Sequence, residues 1–389
     1  MIRFGTALVL LAVSLAAGNI AVAKSVLTVA PNLGECAAQF TRIQDAIAAA
    51  PSGSSIFVCP GVYNEQLRIS KPLMIKFGTG AFVRTVGVQP TGVSFSSGVP
   101  FVAVVFVTDT EGVEIEGGQF DGSQAGIASC APRLFGIVFQ NASGEIRRPS
   151  VTNIRLSDVL SGCQSGTAIL VQSGNGGTSR VKVEGTELSG YQKNGITADG
   201  EGTYVEVKWN KALGDGPTTG AAQNGIQIGF GATGVIFENV TTGHQWAPCI
   251  STSQCEFFAT GILVVDAPGV KVFGNHSGQN QENLVLGGTD NVAQNNYLFD
   301  SKLLDGLMIL GEGSRVKHNL IATAGRSGAF VDANNAIVDD NTFIDMPIGI
   351  LKLAGVIGLD REHNRFINVE QEFVDPSPQT TPRPSPDRP

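Results

Sequence analysis

One pattern recurs along the chain: a glycine followed by alternating apolar positions. It appears at Gly136-Ile-Val-Phe, Gly166-Thr-Ala-Ile, Gly195-Ile-Thr-Ala, Gly225-Ile-Gln-Ile, Gly261-Ile-Leu-Val, Gly306-Leu-Met-Ile, Gly328-Ala-Phe-Val and Gly349-Ile-Leu-Lys, with Asn283-Leu-Val-Leu in the same phase. Counted from the first to the last, successive starts are 30, 29, 30, 36, 22, 23, 22 and 21 residues apart. Alternation with a period of two is the signature of a strand. A return near 22 residues, with occasional insertions, predicts one coil of a right-handed parallel β-helix, made of three short strands and three turns. Propeller blades repeat at roughly 40 residues and leucine-rich repeats need an L-x-x-L-x-L core, so neither fits.

A second column keeps the same phase. Strands starting at Val205, Val235, Val270, Val292, Val316, Val338 and Leu359 run into Asn210, Asn239, Asn275, Asn296, Asn319, Asn341 and Asn364. Stacked coils would place these amides above one another, each donating and accepting along the stack. Thr41 to Ala50 reads as a short amphipathic helix ended by Pro51, suited to cover the first coil. The solenoid should span residues 24–374 in about ten or eleven coils. Residues 375–389 are too rich in proline for ladder bonding and read as a disordered tail.

Composition agrees with strands and tight turns: 49 glycines, and charged residues at only 15%. The formal net charge of −8 argues against a nucleic-acid partner, which needs a concentrated basic face. Residues 1–23 read as a signal peptide, with Arg3, the apolar run Phe4 to Ala17 and the small-residue site Ala21-Val22-Ala23, so a secreted or periplasmic protein is expected. No second membrane candidate follows. Six cysteines suit an oxidising compartment. They show no zinc spacing, and the coil favours pairing neighbours in order: Cys36 with Cys59, Cys130 with Cys163, and Cys249 with Cys255. No metal ligand set is apparent, and the sequence names no cofactor.

The stretch from Phe40 to Gly78, with Ile43-Gln44-Asp45-Ala46-Ile47, Ala50-Pro51 and Pro60-Gly61-Val62-Tyr63, resembles the N-terminal cap of the pectin-lyase-like superfamily. Tyr191-Gln-Lys-Asn-Gly-Ile and Ala222-Gln-Asn-Gly-Ile-Gln-Ile-Gly-Phe-Gly-Ala are similar to bacterial secreted, NosD-like right-handed parallel β-helix repeat proteins. The resemblance implies the fold and an exported protein. It implies no particular reaction.

Insertions mark a face. From the ladder Asn to the next Gly, regular coils take 8 to 10 residues, whereas Asn210 to Gly225 takes 15 and Asn239 to Gly261 takes 22. Loops leaving one corner would wall the glycine-led strands, where Asn194, Thr197, Asn224 and Gln227 should point outward. Lys193, Asp199 and Tyr191 flank them, and the loops bring Asp215, His244 and Trp246. This set suggests a polysaccharide site, with Tyr191, Asn194, Asn224, Gln227 and Trp246 binding and Lys193, Asp199, Asp215 and His244 as catalytic candidates. Each has a plainer structural reading: a solvated lysine, turn-ending aspartates, a histidine and tryptophan packing a loop.

Hydrolase signals such as Asn-Thr-Asp and Gly-His-Gly are missing, as is the methylesterase Asp pair. A lyase needs less, a neutralised uronate and a base, and Lys193 could serve. The other class is a non-catalytic surface or adhesion protein. Leu263, Val285, Met308, Phe330 and Leu351 should form an outward apolar stripe, covered either by Phe373 and Val374 or by a second copy of the chain. Asn141-Ala-Ser, Asn239-Val-Thr and Asn275-His-Ser match glycosylation acceptors but read as structural.

Overall fold

Twelve parallel strands, from Val26–Val29 to Ile337–Asp339, stack into one long ladder that forms the first face of a solenoid. The computed structural model describes residues 26–251, 255 and 257–376. The remaining 23 strands make a continuous bent sheet that supplies the second and third faces. Twelve rungs slightly exceed the expected ten or eleven, because Val26–Val29 already pairs with Ser55–Val58 ahead of the first glycine-led strand. The expected signal peptide and nearly all of the proline-rich segment lie outside the described residues.

Register follows the apolar pattern. Val183, Val207, Ile236, Val272, Ala293, Val316 and Val338 are successive partners on the first face, and every one is fully buried. Stacking like on like fills the interior with branched side chains, each stabilising by about 1.5–3 kcal/mol. Between the first and second faces the asparagines form the expected ladder. Asn210 Nδ2 donates to Asn239 Oδ1 at 2.9 Å, and the chain of amides continues through Asn275, Asn296, Asn319 and Asn341 to Asn364. Each Oδ1 also accepts the backbone N–H of the preceding asparagine in the stack. The residue before each asparagine turns left-handed, even where it is bulky, as at Trp209 (φ 56°) and His318 (φ 55°). That conformation is unfavourable for a residue with a Cβ; the amide bonds on the next residue offset it.

A helix, α1 (Ile43–Ala49), buries Ile43, Ala46 and Ile47 against the first coils. Its own N-cap residue offers no side-chain bond. Glu65, two dozen residues on, instead accepts the N–H groups of Ile43 and Gln44 at 2.9 and 3.0 Å, placing a carboxylate at the positive end of the helix. The cysteines pair in sequence order, with Cα–Cα distances of 6.5, 5.3 and 4.5 Å.

The stripe on the third face departs from expectation. Leu263, Val285, Met308, Phe330 and Leu351 do stack in register and point away from the central core. Leu263, Val285, Met308 and Phe330 are buried and Leu351 half-buried, because Phe258, Cys249, Cys255 and Leu304 pack with them as a second apolar cluster. Phe373 and Val374 do not cover the stripe either; they belong to the next rung, with Val374 opposite Leu351. The expected self-association through these five residues therefore loses its surface.

Candidate functional site

The glycine-led strands make up the third face, and close approach of neighbouring coils explains their glycines. A Cβ on Gly195 would meet Gly225 O at 2.5 Å, and one on Gly225 would meet Gly261 O at the same distance. The register runs unbroken past these glycines, with Thr167 level with Asn194 and Asn194 level with Asn224. The adjacent outward column is apolar through Phe106, Val138 and Leu170, polar at Thr197 and Gln227, and apolar again from Leu263 onward. Two rungs of polarity thus interrupt an apolar face.

A slot of about 70 Å³ opens at that interruption, lined by Lys193, Asn194, Thr197, Asp199 and Gln227 together with Ser94, Ser96, Arg133, Gln164 and Phe230. A second hollow of about 330 Å³ adjoins it and shares Ser96, Asp199 and Phe230, with Phe95, Gln172 and Asn175 on its far side. The long inserts do not supply the wall opposite the strands. The segment before the strand Pro100–Thr108 supplies it, held down where Gln140 Nε2 donates to Val93 O at 2.8 Å and Gln172 Oε1 accepts Phe95 N–H at 3.2 Å.

Five of the residues expected here do line the slot, and their roles differ. Asn194 Nδ2 donates to Thr197 Oγ1 at 2.8 Å and to Gln227 Oε1 at 3.1 Å. Lys193 is buried, with Nζ donating to Ala222 O at 2.9 Å. Asp199 is 6% exposed, and its Oδ1 finds no hydrogen-bond partner among the described residues. Burial raises its pKa above the usual carboxylate value, partly opposed by hydrogen bonds from the Ser96 hydroxyl and the Gly200 backbone.

The other five lie elsewhere. Tyr191 and His244 are fully buried inside the coil, beneath Gly195 and Gly225, where their rings occupy the space a Cβ would need. Nδ1 of His244 lies 2.7 Å from Asn280 Oδ1, which also accepts the His244 backbone N–H, so Nδ1 carries the proton and Nε2 accepts from Tyr191 Oη. Asp215 turns away to Arg155, at 3.1 Å. Trp246 donates Nε1 to Gly220 O at 2.8 Å and rests edge-on against Phe257, holding the insert loops together. Asn224 is buried under the slot, bonded to Asn194 Oδ1.

Arg133 was not foreseen. Glu282 and Asp305 also escaped notice as a pair. Both carboxylates are wholly buried, Asp305 accepting from Arg326 and from Ser327, while Glu282 Oε2 accepts the Asp305 backbone N–H at 3.1 Å. Among the described residues, Asp339, Asp340 and His363 bring three ligand atoms within 4.8 Å of one another at the surface, where Lys317 already pairs with Asp339. No described helix is long and apolar enough to cross a membrane.

No protein-family model and no curated protein matches the sequence. Solved structures do. A GH136 lacto-N-biosidase from Eubacterium ramulus superposes with a TM-score of 0.58 at 12% identity, over 90% of this chain and 67% of that one. PfbA, a surface adhesin of Streptococcus pneumoniae, superposes with a TM-score of 0.50 at 11% identity, over 85% and 86%. At such identities the likeness is one of fold, and with the stacked parallel ladders it shows a parallel β-helix.

Proposed function

We propose that the protein is an exported β-helix that binds a saccharide on its third face, where the slot and the hollow meet at Asp199. The observation that carries this reading is the Asp199 Oδ1 atom, buried, without a partner among the described residues, and on the wall common to both spaces. A buried acceptor lacking a donor costs about 1–3 kcal/mol, and a ligand hydroxyl would relieve that cost. The slot is far smaller than the roughly 300–1,000 Å³ of sites that enclose a whole small molecule. A sugar ring would therefore lie across its mouth with one substituent inside.

Export is supported by the signal-like residues 1–23 and by three disulfides. In this reading α1 caps the solenoid body of residues 24–374, and residues 375–389 form a tail. That one relative in fold is named a lacto-N-biosidase and another a surface adhesin is in keeping with a carbohydrate-related or surface role. Binding is supported better than cleavage. Elimination would require Lys193 as a base, and its Nζ is committed to Ala222 O within the wall. Adhesion through the apolar stripe has less support, since the chain's own loops cover it.

The test is a glycan panel measured by calorimetry on the mature protein and on Thr197→Leu. Leucine matches Leu170 on the adjoining rung and Leu263 two rungs on, so the fold should accept it while the slot fills. Binding by the parent that weakens roughly tenfold in the variant, at unchanged melting temperature, is expected. A panel with no binder, or a binder indifferent to Thr197→Leu, would overturn the reading.

A further inference from the structure

We infer that the ligand of this slot is a glycan bearing a carboxylate, and that Arg133 receives it. The inference rests on the saccharide reading of the cleft and specifies its chemistry.

Arg133 opens the strand Arg133–Gln140 and reaches the slot from the rung before Thr167. Its guanidinium is half-buried and makes no hydrogen bond, ion pair or ring contact among the described residues. Other half-buried arginines of the chain are all engaged: Arg84 with Asn64, Arg147 with Glu114 and Glu145, and Arg326 with Asp305 and the Phe330 ring. Burial lowers the Arg133 pKa, and no ion pair among the described residues offsets that loss of hydration. A guanidinium held partly out of water without an anion is unfavourable, and its planar fork matches a carboxylate in a bidentate pair.

Asp199 complements it. Both line the slot, yet no ion pair or hydrogen bond joins them. The slot therefore offers an unpaired cation and a separate unpaired acceptor. A sugar acid supplies both complements, an anion for Arg133 and a hydroxyl for Asp199. Size agrees: about 70 Å³ admits a planar carboxylate but not a ring. A neutral sugar would cover Arg133 without pairing it, a loss that specificity commonly exploits.

The experiment uses the full mature protein and hexasaccharides of glucuronic, galacturonic, mannuronic and guluronic acid. Each is set against its methyl ester, with a neutral glucose hexamer and dextran sulfate as further arms. At least one acid should bind roughly tenfold or more tightly than its ester. Arg133→Gln should erase that preference while weak ester binding persists, and Arg133→Lys should restore part of it; circular dichroism and melting temperature verify both folds. Esters binding as well as acids, a preference that survives Arg133→Gln, or dextran sulfate outcompeting every acid would each overturn the carboxylate assignment and leave the cleft reading standing. Failure of every arm to bind would overturn both.

Discussion

The Tyr191 hydroxyl lies 2.5 Å from Nε2 of His244, and both rings are sealed inside the coil. Burial holds the imidazole neutral, with a pKa of about 4 against an ordinary 6.5. In the unfolded chain this histidine binds a proton below pH 6.5, whereas in the folded protein it does not until about pH 4. Stability contributed by this group is therefore complete above pH 6.5 and falls as the pH drops toward 4, by roughly 3 kcal/mol in all. Urea midpoints between pH 7 and 5 should show this decline. His244→Phe should lower stability at pH 7, since the Tyr191 hydroxyl loses its acceptor, but should flatten the histidine part of the slope; an unchanged slope would locate it in another group.

The asparagine ladder predicts a gradient of cost along the stack. Asn319 accepts from the Asn296 backbone and amide and donates to Ala293 O, Lys317 O and Asn341 Oδ1. Asn319→Ala strands several of these buried groups and should cost about 3 kcal/mol. Asn364, last in the described ladder and partly exposed, should cost much less when replaced. Equal losses in thermal unfolding would mean that the amides do not act as a stack.

Glu282 and Asp305 predict an opposite dependence on pH. Burial, then the nearby Asp305 carboxylate, push the Glu282 pKa well above the usual value. The folded protein then holds a proton that the unfolded chain releases above about pH 4.5, so stability falls as the pH rises toward the folded pKa. Glu282→Gln should stabilise the protein at pH 8 relative to pH 5. Arg326→Met, which leaves Asp305 buried without its cation, should cost about 3–5 kcal/mol. Both are read from urea unfolding curves.

The Cys249–Cys255 bridge predicts a local effect. Its two cysteines pack with Phe258 against Leu263, Val285, Met308 and Phe330. Replacing both cysteines by serine should loosen the cover, raise the fluorescence of a hydrophobic dye and promote self-association. Far-ultraviolet circular dichroism should stay unchanged, because the ladders beneath do not depend on the loop. A variant with no added dye binding would show that packing alone holds the cover.

Much of the coil was legible because its rules are local and periodic. Alternating apolar residues specify which side of a strand faces in, and a repeated asparagine specifies a turn that can stack. Ile226 and Asn239 thus find their places by counting alone. The candidate site was legible only in part. Lys193, Asn194, Asp199 and Gln227 were found by the same counting, and they do share one slot. Tyr191 and His244 were misplaced because a glycine-led strand leaves room beneath it for a ring, which no outward-inward rule anticipates.

The sequence by itself thus determined the solenoid, the order of disulfide pairing, the face on which polarity interrupts the apolar columns, and the register outside one coil, where Ala168 rather than Gly166 lies level with Gly136 and Gly195. Each follows from interactions between residues one period apart. Only the tertiary structure decided what lies over that face. It sets the wall before Pro100 against Arg133 and Asp199, and Cys249, Cys255 and Phe258 against the stripe. A loop's landing place depends on shape and on hydrogen bonds to distant coils, such as Gln140 to Val93, and no periodicity encodes it.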